Sequence, residues 1–121
     1  MEITNKIADK DFYIYGTICG FIGKEPEYRK KLKLLLFTNN IIELESWLES
    51  EIPEIRVYAI DGFYQLLKNG YILTSNQASL IMLIGEQDNQ IRVCSGCHYS
   101  IKTIKSTVKK IVDEFYRNEK T

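Results

Sequence analysis

The sequence predicts an all-α fold, a short stack of about three antiparallel helical hairpins. Three observations lead there. Apolar residues recur at helical spacing through most of the 121-residue chain. Pro, Asn and Gly stand where such helices would begin and end. An Arg-bearing tetrapeptide recurs as Pro26-Glu27-Tyr28-Arg29, Pro53-Glu54-Ile55-Arg56 and Asn89-Gln90-Ile91-Arg92, each time after an apolar stretch and a short turn. The last two copies share Ile-Arg-Val, 36 residues apart.

The hairpins are expected at approximately 9–38, 40–69 and 74–117, in one domain. Residues 9–23 are apolar on most of their circumference, through Phe12, Tyr13, Ile14, Tyr15, Ile18, Cys19, Phe21 and Ile22. Periodicity alone leaves buried helix and buried strand open there; helix is the reading taken. Gly16 and Gly20 would then share a helix face and admit a close neighbour. Pro26 suits a first helical turn, where its missing N–H is not needed. Tyr28, Leu32, Leu35 and Leu36 make the stripe that follows.

Asn40 is placed to cap the next helix, whose apolar face is Ile41, Leu44, Trp47 and Leu48. Pro53 opens another, with Ile55, Ala59, Phe63, Leu66 and Leu67 in helical period, and Asn69-Gly70 closes it. Thr74 and Gln77 have the spacing of a capping box. Gly85 ends that helix. A last helix is expected to run to about Arg117, with Ile101, Ile104, Val108, Ile111, Val112 and Phe115 on one face.

Residues 41–69 carry the strongest repeat signal: Leu44 to Leu48, then Pro53-Glu54-Ile55-Arg56-Val57, Ala59 and Leu66-Leu67. This run resembles the HEAT family of helical repeats, with its apolar first helix, Pro-acidic turn and aliphatic-Arg pair. The resemblance implies a small α-solenoid that binds other proteins along one face. Residues 91–99 depart from the pattern, with Ser95 and Gly96 where the middle unit has Ala59 and Ile60. They read as helix or as a short extended segment and turn.

Composition narrows the functional classes. A hydrophobic fraction of 45% with 26% charged residues is globular and unlike a disordered chain. Lys plus Arg and Asp plus Glu both number 16, which argues against a general nucleic-acid binder. Residues 1–6 lack a basic region followed by an apolar run, so no secretory leader, no membrane span and a cytoplasmic setting are expected. Abundant Ile, Lys, Asn and Tyr accompany AT-rich bacterial genomes.

The chemical motif that stands out is Cys94-Ser95-Gly96-Cys97-His98. It fits C-x-x-C-H haem attachment, a zinc knuckle, or a redox dithiol. Each lacks its context: no export signal, no second Cys/His pair, no βαβ unit. The plainer reading has Cys94 and Cys97 continuing the apolar stripe of a helix, since Cys packs as a small hydrophobe. No metal and no cofactor are therefore expected, Cys94, Cys97 and His98 being the alternative metal set. Three cysteines, with Cys19, are too few for a disulfide scaffold.

Arg29, Arg56 and Arg92 read as ties to acidic residues of neighbouring turns, or as a ligand ladder. Residues 43–61 hold six acids and one base, and residues 102–120 six bases and three acids. The acidic stretch suggests a surface formed by Glu45, Trp47, Glu49, Glu54, Tyr58 and Asp61 that takes a basic protein partner. The expectation is thus a non-catalytic protein-binding module, such as an inhibitor or immunity protein. A metal or redox protein, and nucleic-acid binding through the basic last helix, are the alternatives.

Overall fold

A computed structural model describes residues 13–20, 23–96 and 98–119. In chain order it contains α1 (Glu27–Phe37), α2 (Ile41–Trp47), α3 (Pro53–Lys68), α4 (Ser75–Gly85), β1 (Gln90–Ser95), β2 (His98–Thr103) and α5 (Ile104–Glu119). This corrects the all-α expectation. Among the described residues, five helices accompany a two-stranded antiparallel sheet, and the fold is not a solenoid of three hairpins.

α3 is the axis of the fold. Ile55, Val57, Tyr58, Ala59, Ile60, Phe63 and Leu66 are all buried, so it is apolar on nearly every side, as a helix enclosed by neighbours must be. It packs against α1, α2, α5 and β1. Gly62 lets α1 approach: a Cβ there would lie 2.7 Å from Leu32 Cδ1.

Local sequence rules account for the helix ends. The Asn40 side chain accepts from Glu43 N (3.2 Å) and caps α2. Pro53 begins α3. Gly70, at φ 94°, turns the chain out of it, with Tyr71 N donating back to Leu66 O. Thr74 and Gln77 form both halves of a capping box on α4. Gln77 is also a clamp between elements. Its amide donates to Glu45 Oε1 on α2 (2.7 Å), and its oxygen accepts from Tyr71 OH (2.9 Å).

Of the two readings of residues 91–99, the extended one holds: residues 90–95 and 98–103 form β1 and β2, paired from Gln90↔Thr103 to Ser95↔His98. Ile91 and Val93 face α3, and Cys94 faces the opposite side of the strand. Ile101 is 59% exposed rather than part of a buried stripe. Glu54 anchors the sheet to α3 by accepting from Arg92 N (2.8 Å).

Residues 13–20 are not helical either, and residues 9–12, 21 and 22 of the expected first helix lie outside the described residues. Residues 13–20 lie along the edge of β1 that β2 leaves open. Tyr15 N donates to Arg92 O, and Cys94 N donates to Tyr15 O, both 2.9 Å. Cys19 and Cys94 are joined as a disulfide, with Cα atoms 5.6 Å apart and a sequence separation of 75. Closing a loop of that length restricts the unfolded chain by roughly 4 kcal/mol in the chain-entropy account. Among the described residues, no helix is long and apolar enough to cross a membrane.

Two phenylalanines check the assignment of core and surface. Phe63 is fully buried and Phe37 is 88% exposed. Phe63→Ala is expected to cost about 3–5 kcal/mol in urea unfolding, through lost transfer energy and an unfilled cavity. Phe37→Ala is expected to stay within about 0.5 kcal/mol of the parent protein.

Candidate functional site

Arg29, Asp61, Tyr15 and Tyr58 come together where residues 13–20 cross α1 and α3. Arg29 of α1 lies at the centre. Its Nη1 is 3.0 Å from Asp61 Oδ2, with both side chains largely buried. Its Nε donates to Gly16 O (2.9 Å). The guanidinium carbon sits 5.4 Å from the Tyr15 ring centroid and 5.1 Å from that of Tyr58, within cation–π range of both.

Every other group in the cluster is also engaged. Tyr15 OH donates to Asp61 Oδ2 (2.7 Å). Gln65 Nε2 donates to Asp61 Oδ1 (2.9 Å). Tyr58 OH donates to Ile14 O (2.5 Å) and accepts from Gly16 N (3.1 Å). Spacing on α3 makes this possible. Tyr58, Asp61 and Gln65 follow at i, i+3 and i+7, so all three fall on one helix face.

The electrostatics fix the protonation states. Burial pushes the Tyr15 phenol far up, reinforced by the charge of Asp61 and by the hydrogen bond to it. Burial pushes Tyr58 up to about 12, partly offset by the Gly16 amide and the Arg29 charge. Burial alone would lower Arg29, but Asp61 and then the two tyrosines hold it above its ordinary value. At neutral pH both phenols are therefore neutral donors, and the guanidinium keeps a full charge.

In front of this cluster opens a cleft of about 560 Å³. That volume lies inside the range of small-molecule sites, roughly 300–1,000 Å³. Tyr15 to Ile18 form one wall, and β1 from Val93 to Ser95, with Gly96 after it, the next. Lys102 of β2 and Ser106, Thr107, Lys110, Ile111 and Glu114 of α5 complete it, with Arg29 reaching the cleft from behind. Ile18, Val93 and Ile111 give it an apolar side. Lys102, Lys110 and Arg29 outnumber its one carboxylate, Glu114. Lys102 and Lys110 are exposed, and the other two lysines of this part of α5 are paired, Lys105 with Glu86 and Lys109 with Asp113.

The sequence-derived surface does not assemble as one face. Trp47, Glu54 and Tyr58 are buried. Glu45 is bound to Gln77, and Asp61 to Arg29, Tyr15 and Gln65. Only Glu49 of the six is exposed. Tyr58 and Asp61 do meet, behind the cleft.

The Cys94-x-x-Cys97-His98 motif falls on the hairpin. Cys94 points to Cys19, His98 is exposed on β2, and Cys97 lies outside the described residues. Among the described residues no three of His, Cys, Asp and Glu converge as a metal site would require. The arginines form no ladder. Arg56 donates to Ser50 O (2.7 Å), and Arg92 is exposed on β1. Tyr15, Lys102 and Lys110 carry no local sequence signal, because the cleft joins residues far apart in the chain. No protein-family model, characterised protein or solved structure matches the chain.

The raised phenols bear on alkaline stability. The folded protein holds the Tyr58 proton more tightly than the unfolded chain, whose phenol titrates near its ordinary 10.0. This contribution is complete below that value and is lost as pH rises toward about 12. The urea midpoint is expected to fall across that interval, and to fall less steeply in Tyr58→Phe. Asp61→Leu, which leaves the Arg29 charge buried without its partner, is expected to cost about 3–5 kcal/mol at neutral pH.

Proposed function

We propose that this protein is a non-catalytic binding module. Its ligand is a small anion with an apolar body, a carboxylate or phosphate ester, held in the cleft between residues 15–18 and α5. One observation carries the reading: a cleft of ligand size has an apolar side beside two exposed lysines, Lys102 and Lys110, and is backed by the guanidinium of Arg29, held in place by Asp61 and two tyrosines. Prior anchoring of a guanidinium lowers the cost of ordering it when an anion arrives.

The protonation states support binding over proton transfer. A general base must be free to accept a proton near neutral pH. Asp61 is fully hydrogen-bonded, and Tyr15 and Tyr58 keep their protons. The cluster is a fixed charge and dipole array.

A second reading, docking of a basic protein, is favoured by a different observation. Leu34, Phe37 and Ile42 flank the α1–α2 turn at 62%, 88% and 86% exposure, and Glu43 and Glu49 of the same region are exposed. Apolar residues rimmed by charge are a common interaction surface.

Anilinonaphthalene sulfonate, an aromatic body with one anionic group, is a suitable probe. It is expected to bind with enhanced fluorescence. Lys102→Glu/Lys110→Glu is expected to weaken binding roughly tenfold or more, since a charge-assisted contact is worth about 1.5–3 kcal/mol. Phe37→Asp/Ile42→Asp is expected to leave it unchanged. Equal affinity in the lysine variant, or loss in the Phe37/Ile42 variant, would reject the cleft as the probe's site.

A further inference from the structure

We propose that the Cys19–Cys94 disulfide is a reversible oxidation site that latches one wall of the cleft, so that reduction by a cellular dithiol weakens ligand binding. The proposal rests on the reading of the cleft as a binding site, and its test separates the two.

The wall in question is the span from Tyr15 to Cys19. At its first end, two backbone hydrogen bonds tie Tyr15 to Arg92 and Cys94 of β1. At the far end, the disulfide joins Cys19 to the same strand, Gly20 N donates to Gly96 O just beyond it (2.9 Å), and two backbone hydrogen bonds pair Cys19 with Lys24 (2.7 and 2.9 Å). Thr17 and Ile18, both lining the cleft, lie between these attachments and are exposed, Ile18 at 53%. The apolar support beneath the far end is small: Ile14, Cys19 and Cys94 form a cluster separate from the main core. Cutting the covalent tie thus frees the span locally while leaving the packing around α3 intact.

The fit at the latch depends on Gly16. A Cβ there would stand 2.2 Å from Cys94 Sγ and 2.8 Å from Cys94 O, so only glycine lets the span pass this close to the sulfur. Both cysteines are buried, but Cys94 lines the cleft, which gives a small reductant its approach. The latch is therefore reachable from the space that it shapes.

The chemistry is ordinary thiol–disulfide exchange. A thiolate of the dithiol attacks one sulfur of the Cys19–Cys94 bond and forms a mixed disulfide. The other cysteine leaves as a thiolate and takes up a proton. The second thiol of the reductant then displaces the bound cysteine. Two electrons and two protons reach the protein, which ends with two thiols, and the dithiol ends as a disulfide.

The experiment compares air-oxidised protein, protein reduced with dithiothreitol, and Cys19→Ser/Cys94→Ser, with Cys97→Ser as control. Peptide mapping of the oxidised form should recover a Cys19–Cys94 cross-link. On reduction, amide hydrogen exchange should quicken at Thr17 to Gly20 and stay slow in α3. The dissociation constant for anilinonaphthalene sulfonate should rise roughly fivefold or more, the lower end of ordinary coupling between sites, and recover on reoxidation. The Cys97 control should behave as the parent.

A missing cross-link, or exchange at residues 17–20 that ignores the redox state, overturns the latch. Unchanged probe affinity alongside faster exchange overturns its control of the cleft. A probe that binds neither form overturns the cleft reading instead, and the exchange data then decide whether the latch exists. Should the double serine variant fail to fold, the reduced parent protein gives the same comparison.

Discussion

Taking a guanidinium and a carboxylate out of water is expensive, and their mutual attraction seldom leaves much net gain. The pairing of Arg29 with Asp61 is therefore better understood by what it positions than by what it stabilises. Asp61 holds Tyr15, Arg29 holds the Gly16 carbonyl, and Tyr58 holds the backbone at Ile14 and Gly16. Residues 13–20 pack against the main core through Tyr13 and Tyr15, and place Ile14 and Cys19 in a small cluster apart from it. Their place beside β1 is specified by this polar network, because any other register would strand a buried charge. The disposition of the cleft wall follows from that choice.

The same network explains why the cleft sits where it does. α1 and α3 bring Arg29 and Asp61 together deep in the fold, while β2 and α5 bring Lys102 and Lys110 to the opposite side. The buried charge is balanced internally and the exposed charges are not. The cleft thus has one firmly held polar side and one adaptable basic rim, with apolar surface between them.

Helix punctuation was legible because its causes are local. Asn40, Pro53, Gly70, Thr74 and Gln77 act on their own turn, and each does in the structure what its residue type dictates. The sheet was not legible. Ile-Arg-Val occurs at 55–57 inside α3 and at 91–93 inside β1. The tripeptide is the same, so tertiary partners decide its state: α3 is enclosed by helices, whereas β1 is paired on one edge by β2 and on the other by residues 13–20. Branched side chains accept both settings. The spacing of Cys94, Cys97, Ile101 and Ile104, which suits a helix face, is incidental to strands whose own period is two. The cleft was hidden for a related reason. Its residues come from the 15–18 segment and from α1, β1, β2 and α5, and Tyr15 and Lys110 are 95 positions apart.

The pairing of residues 13–20 with β1 also orders events during synthesis. A ribosome adding roughly 5–20 residues per second emits Cys94 on the order of ten seconds after Cys19. In that interval α1, α2 and α3 can already collapse together, since their contacts are close in sequence. Tyr13, Ile14, Tyr15 and Ile18 have no strand to join until β1 has been made. The nascent protein thus carries an apolar, hydrogen-bond-hungry segment through the synthesis of α1 to α4, and its seam with β1 closes only after them.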